Sequence, residues 1–168
     1  IFKHYADATL VFLPHPATHT PHNPPGRLGW LLYWPFGRLR DACLHHLPAM
    51  LKSVPSMGAR HPFEAYIVSR GYDSLTSGVY HYDVERHALA FISHEQKNMP
   101  LGITLIVTVV FERFQWRYRH SWNYKDLYYD LGHVNATLKL IAEELGVRLT
   151  DVAWTYAVPG AQPLFEEC

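Results

Sequence analysis

Cysteine is scarce in this sequence of 168 residues, where Cys43 and Cys168 are the two examples. They lie far apart, so the chain has neither a disulfide framework nor the Cys-x-x-Cys spacing of zinc and redox motifs. Acidic and basic residues are equal in number, at 15 each, which excludes the basic excess of a dedicated nucleic-acid-binding protein. We therefore expect no metal site, no nucleic-acid partner and a reducing, cytoplasmic setting.

Long apolar runs are also missing. None reaches the roughly 18 residues that a membrane span requires, and the N-terminus has no charged-then-apolar leader, so we expect no membrane association. The HExxH, GxSxG, Walker and Rossmann GxGxxG motifs are absent, which argues against the familiar hydrolases, kinases and dinucleotide-binding enzymes. Because the chain starts at Ile1 and stops abruptly in FEEC, we expect residues 1–168 to be one domain excerpted from a longer polypeptide.

The strongest pattern that is present is an apolar stripe between Asn123 and Gly146. Its members recur every three or four residues, as on one face of an α-helix: they are Leu127, Leu131, Val134, Leu138, Ile141, Ala142 and Leu145. Asn123 can cap the start of this helix, and Gly146 can end it in a left-handed conformation. Gly132 lies mid-helix with Ala136 one turn later, which predicts the close approach of either a neighbouring helix or a ligand.

The other patterns predict shorter helices and strands packed around this long helix. The Pro- and His-rich residues 14–26 are predicted to be a loop. The unbroken apolar run at 103–111 is typical of a strand buried on both faces. The remaining predicted elements are helices at 27–36 and 38–51, and strands at 63–69, 78–83, 89–93 and 147–158. This order predicts an α+β fold in which helices pack on a sheet.

Three clusters could carry chemistry. Aromatic residues make up 14% of the chain, and rings and cations alternate between residues 113 and 122, which suits a planar anionic ligand or an ordinary interface. The turn PSMGARHP at 55–62 offers backbone N–H groups beside Arg60, as in an anion or flavin-edge contact. Asp130 and His133 could form an acid–base couple or a hydrogen-bonded pair that holds the helix in place.

The ordered combination of these segments resembles the SagB-type dehydrogenase branch of the nitroreductase superfamily. The similar segments are PSMGARHPFEAYIV, GVYHYDVERHAL, WRYR and YYDLGHVNATLKLIAEELGV, which together cover about residues 30–154. The resemblance implies a central, mostly antiparallel sheet packed by helices, a homodimer formed through long helices, and FMN at the subunit interface. It also implies oxidation of azolines to azoles in a peptide or small heterocyclic substrate, alongside biosynthetic partner proteins.

The resemblance also implies roles for individual residues. It assigns flavin contacts to the turn and to the long helix, and the resulting cofactor-binding set is Pro55, Ser56, Gly58, Arg60 and Gly132. Arg117 and Tyr118 fall where azoline-oxidising members carry a catalytic Lys–Tyr pair. Since a guanidinium keeps its proton near neutrality, Tyr118 and His120 are the candidate bases.

One departure from the family pattern leaves other functions open. Family members usually begin with an Arg-x-Ser-x-Arg pattern that grips the FMN phosphate, whereas HYADATLVFLP at residues 4–14 contains no arginine. One alternative is a non-catalytic scaffold or binding module with the same fold. The other is a generic flavin nitroreductase that uses a nicotinamide donor.

Overall fold

The structure is a computed structural model that describes residues 3–44, 46–72, 74–94, 99–120 and 122–150. Most of the strand predicted at 147–158 lies outside these ranges. In chain order the elements are β1 (Leu10–Phe12), α1 (Pro24–Phe36), β2 (Arg40–Leu44), β3 (Leu47–Leu51), a 3-10 turn (Met57–Ala59), β4 (Phe63–Arg70), β5 (Gly78–Asp83), β6 (Ala88–Ser93), β7 (Gly102–Val109), α2 (Phe111–Gln115) and α3 (Asn123–Glu144).

A five-stranded antiparallel sheet in the order β1-β6-β5-β4-β7 forms the centre of the fold. The register places Tyr66 of β4 opposite His81 of β5 and Ile106 of β7. All six residues of β5 are buried, as expected of aromatic and β-branched residues in a central strand. The predicted α+β architecture with an antiparallel sheet is confirmed.

The long helix α3 also matches its prediction. It begins at Asn123, with Trp122 rather than Asn123 in the cap position, and Gly146 follows its end with a left-handed φ of 62°. The apolar stripe joins the core and packs on α1, since its members Leu127, Val134, Leu138, Ala142 and Leu145 are all buried. Among the helices of the described residues, none has the length and apolar composition of a membrane-spanning segment.

Residues 38–51 form a β-hairpin instead of the predicted helix. Strands β2 and β3 pair antiparallel, with Arg40 opposite Leu51 and Cys43 opposite Pro48. Proline inside a helix removes a hydrogen bond and clashes with the preceding turn, whereas an edge strand tolerates it. Pro48 thus opposes the helix that the spacing of the apolar residues suggested.

Helix α1 takes in the end of the predicted 14–26 loop. It begins at Pro24, because Asn23 accepts a hydrogen bond from the Gly26 amide at 2.9 Å and the two following prolines occupy the first helical positions. Proline suits those positions, since its missing N–H would be unpaired there in any case. The loop therefore ends at Asn23.

Strand β7 is less buried than its apolar run predicted. It is half-buried over most of its length, and Val109 is exposed. The prediction of burial on both faces is wrong for this chain, since β7 lies at the edge of the sheet and pairs with β4 alone among the described strands. An apolar run in the sequence does not predict how many neighbouring elements will cover the strand.

Candidate functional site

The turn before β4 has an unusual backbone. Gly58, Ala59 and His61 have φ values of 59°, 53° and 46°, in the left-handed region. For the two residues that carry a Cβ, this conformation costs on the order of 1 kcal/mol each. Such a backbone persists only where surrounding contacts determine it, so the partners of the turn define the site.

Asp130 on α3 supplies those contacts. Ser56 Oγ donates a hydrogen bond to Asp130 Oδ2 at 2.6 Å, and the Met57 amide lies 3.2 Å from both carboxylate oxygens. Ser56 Oγ also accepts a hydrogen bond from the His61 amide at 2.9 Å. Burial raises the pKa of Asp130, against the opposing effect of these hydrogen bonds. The carboxylate is thus paired with the turn, whereas the predicted partner His133 is exposed on α3.

Tyr118 packs directly on the turn at Gly58. A Cβ added to Gly58 would overlap the Tyr118 hydroxyl oxygen and lie 3.2 Å from Cζ, so an alanine there would require the Tyr118 side chain to move. Arg60 Nε donates to the Gly58 carbonyl at 3.0 Å, and its guanidinium lies 5.6 Å from the centre of the Trp116 ring. The structure therefore brings together the predicted cofactor residues of the turn and the predicted catalytic tyrosine.

Other predicted residues lie apart from this contact. Arg117 is exposed on the surface beside Tyr118, and Pro55 is an exposed neighbour of Ser56. Gly132 is exposed on α3, and a Cβ built there would meet nothing within 4 Å. The close approach predicted at Gly132 is not made within the described residues.

A small cavity of about 10 Å³ lies beneath the turn, close to the size that one water needs. Its polar lining includes Lys52, Ser56, His61 and Asp130. His61 is buried, and its Nε2 has no hydrogen-bond partner in the part of the chain that is described. Burial, helped by the charge of Lys52, lowers the pKa of His61 to about 4, and burial lowers that of Lys52 to about 8. Lys52 gave no signal in the sequence.

A buried charge network connects β4 to the helix that leads to Tyr118. Glu64 forms an ion pair with Arg113 of α2 and is hydrogen-bonded to His81 Nε2 at 2.7 Å. Burial would raise the pKa of Glu64, but His81 and Arg113 together hold it below its usual value. Arg113 also donates to the His61 carbonyl at 3.4 Å. The sequence signal, a lone carboxylate in the apolar run FEAYIV, was overlooked.

Within the described ranges, no group of three or more His, Cys, Asp or Glu side chains is placed to bind a metal ion. The groups that Tyr118 and Arg60 bring to the turn are a tyrosine hydroxyl and a guanidinium, beside the backbone at Gly58. A planar anionic ligand is the kind of molecule that such groups bind by stacking and charge.

Comparison with known proteins gives two trifolitoxin-processing proteins among the relatives of this chain. The chain is 36% identical over 125 residues to the trifolitoxin-processing protein TfxB of Rhizobium leguminosarum bv. trifolii, covering 64% of the chain and 33% of that protein. It is 37% identical to the trifolitoxin-processing protein TfxF of the same organism, covering 73% and 45%. The chain thus spans a third to under half of these relatives. No protein-family model matches it.

The crystal structure of a candidate nitroreductase from Anabaena variabilis superposes on this chain with a TM-score of 0.73 and 26% sequence identity, covering 86% of this chain and 33% of that one. The fold is nitroreductase-like. The chain is also 29% identical to the candidate nitroreductase MJ1384 of Methanocaldococcus jannaschii, covering 62% of this chain and 59% of that protein. Together with this sequence relative, the structural similarity supports membership of the nitroreductase superfamily and suggests an oxidoreductase. In this nitroreductase-like fold, the turn at Gly58 and Tyr118 forms the candidate site.

Proposed function

We propose that the protein is an FMN-dependent oxidoreductase of the SagB type. Its substrate would be an azoline in a peptide or small heterocycle, oxidised to the azole with the help of biosynthetic partner proteins. The observation that carries the proposal is the packing of Tyr118 on Gly58 within the turn that Asp130 holds. The names of the trifolitoxin-processing relatives support a role in peptide maturation.

The residues of the turn fit a flavin, with one revision. Ser56 Oγ already donates to Asp130 and accepts from His61, so it shapes the turn and does not supply a side-chain donor to the ligand. Arg60 is half-buried, and no described carboxylate pairs with it, which leaves its guanidinium N–H groups for an anion. We assign the flavin contacts to Arg60 and to the backbone of Pro55, Ser56 and Gly58, since the Met57 amide already donates to Asp130.

Each residue then has a limited task. Arg60 and the backbone of the turn would hold FMN, which would supply the hydride acceptor for the oxidation. Tyr118 Oη accepts the proton lost with the hydride while passing its own proton to solvent, which balances the removal of two hydrogens. Arg117, exposed beside Tyr118, orients an anionic part of the substrate.

We also propose that the protein is a homodimer formed through α3. The face of this helix that points away from the core carries exposed aromatic and aliphatic side chains around a small residue: Tyr128, Tyr129, Gly132 and Leu140. Aromatic residues are enriched at protein interfaces, and a glycine lets two helices approach closely. A second copy is the occupant that this proposal assigns to the face.

The experiment compares Gly58→Ala with Gly146→Ala. Both glycines have left-handed φ values, 59° and 62°, but an added Cβ overlaps Tyr118 at Gly58 and meets nothing at Gly146. We expect Gly58→Ala to weaken FMN binding about tenfold or more, and Gly146→Ala to leave it nearly unchanged. Visible absorption during titration of the purified protein with FMN measures both.

The outcomes separate the candidate functions. Equal FMN affinity in the two variants would contradict the assignment of the turn. Wild-type protein that stays colourless and binds no added FMN would favour the scaffold. If FMN binds, azoline oxidation by oxygen without NAD(P)H supports the proposed enzyme, and a requirement for NAD(P)H supports a generic flavin reductase.

A further inference from the structure

We propose that Asp130 is a positioning residue, which holds the turn at 56–61 in the conformation that presents Gly58 to Tyr118. The inference rests on the proposed function, because it treats this turn as the flavin contact. It assigns to α3 a second task beside packing the core. It also gives a role to a buried carboxylate whose hydrogen bonds go to the turn.

The backbone of the turn requires an external support. Ala59 and His61 both hold left-handed φ values that residues with a Cβ seldom adopt. Within the turn, Ser56 Oγ reaches the His61 amide at 2.9 Å, so a change in Ser56 is transmitted to the strained end. Ser56 is itself directed by Asp130 at 2.6 Å. The carboxylate thus stands at the head of a chain of contacts that ends at His61.

The position of Asp130 is fixed by the core. It is 5% exposed and lies on α3 between Leu127 and Val134, which are both buried against the body of the protein. A side chain locked by such packing can set the geometry of a loop more closely than another loop residue can. Through Asp130, the position of the turn is therefore set by α3, the longest helix of the fold.

The chemistry of the contact calls for a carboxylate. Asp130 faces two donors, the Ser56 hydroxyl and the Met57 amide, and an ionised carboxylate accepts at both oxygens. Asparagine has nearly the same shape but offers one acceptor oxygen, and its NH₂ group would face a donor or reverse the Ser56 hydrogen bond. Leucine offers no acceptor. The variants Asp130→Asn and Asp130→Leu therefore form a graded series.

The test measures FMN affinity and the thermal midpoint of each variant, with Asp126→Asn as the matched control. Asp126 lies four residues before Asp130 on α3. In the described residues, no hydrogen bond from residues 56–61 reaches it. We expect about tenfold weaker FMN binding in Asp130→Asn and a larger loss in Asp130→Leu. The control should bind FMN within about twofold of the wild type.

A second readout needs no flavin. Hydrogen exchange of the Met57 amide, followed by NMR, should accelerate about tenfold in Asp130→Asn and remain unchanged in Asp126→Asn. Unchanged exchange would overturn the inference, as would FMN affinity that stays within twofold of the wild type. Wild-type protein that binds no FMN would instead refute the proposed function, and the exchange rates would still decide whether Asp130 positions the turn.

Discussion

Two turns of this protein contain a buried histidine with left-handed φ, and they differ in how that histidine is satisfied. His87, between β5 and β6, accepts or donates at both nitrogens: Nδ1 lies 2.7 Å from the Tyr82 hydroxyl and Nε2 lies 3.2 Å from the Pro14 carbonyl. His61, in the turn below Tyr118, has an unpartnered Nε2 at a cavity among the described residues. Burial lowers the pKa of both to about 4.

The two histidines differ in whether both ring nitrogens have a hydrogen-bond partner. Burial, φ and the direction of the pKa shift are the same in both turns, so none of them distinguishes the two. A buried polar atom that finds no partner is costly, and proteins keep few of them. His87 therefore joins the 14–22 loop to the sheet, whereas His61 leaves Nε2 open to the cavity at the candidate site.

The largest expected effect concerns acid stability, which tests what the two histidines share. Their pKa values are lowered from 6.5 to about 4 on folding. Between these pH values the unfolded chain binds more protons, so the free energy of unfolding falls as pH drops from 6.5 towards 4. At about 1.4 kcal/mol per pKa unit, each histidine accounts for a loss of about 3 kcal/mol in the free energy of unfolding over this pH range.

Urea unfolding at several pH values between 4 and 6.5 measures this slope. His61→Ala and His87→Ala should each remove part of the slope, which separates the histidines from the carboxyl groups that titrate nearby. A slope that neither substitution alters would contradict the shared shift.

The second prediction tests what the two histidines do not share, namely their hydrogen bonds at neutral pH. His87→Ala should lower the free energy of unfolding by about 3 kcal/mol, because it creates a cavity and leaves the buried Tyr82 hydroxyl unpaired. His61→Ala should cost about 1.5 kcal/mol, because the ring loses its hydrogen bond to the Met50 backbone but has none at Nε2. Both variants place alanine at the same kind of φ, so each controls for the other. Equal costs at pH 7.5 would break the comparison.

The smallest expected effect is that of Gly132→Ala, on the exposed face of α3. Gly132, like His61 Nε2, has no partner within the described residues. In a monomer, Gly132→Ala should raise the free energy of unfolding by about 1 kcal/mol, since alanine is the better helix former. In a dimer whose helices meet at Gly132, the added methyl group should weaken association.

Sedimentation over a range of concentrations, together with urea unfolding, distinguishes these results for Gly132→Ala. Weaker association supports the proposed dimer. Higher stability with unchanged association would exclude Gly132 from an interface.

The sequence was informative where periodicity and glycine placement decide structure. The stripe from Leu127 to Leu145 predicted α3, and the alternation of GVYHYD predicted β5. It failed at Pro48, whose opposition to a helix was not weighed, and at β7, where burial depends on neighbours that a linear pattern does not contain. The bounds of most other elements were close to those observed.

For the site, local motifs predicted the turn and Tyr118 but not the contact that holds them. Ser56 and Asp130 are 74 residues apart, and the nearer His133 seemed the natural partner for the carboxylate. A pairing across that distance is set by the tertiary fold and has no local signature. Lys52 was missed for the same reason, because only folding brings it to the cavity.

The ion pair between Glu64 and Arg113 has a consequence for how the sheet assembles. Side chains alternate between the two faces of a strand, so a slip of β4 by one residue would turn Glu64 to the opposite face. Arg113 and His81 would then lose their shared carboxylate, and a charge would be buried without a counterion. The pair therefore acts as a check on strand register, because it penalises misaligned sheets in which the apolar side chains alone could still find partners.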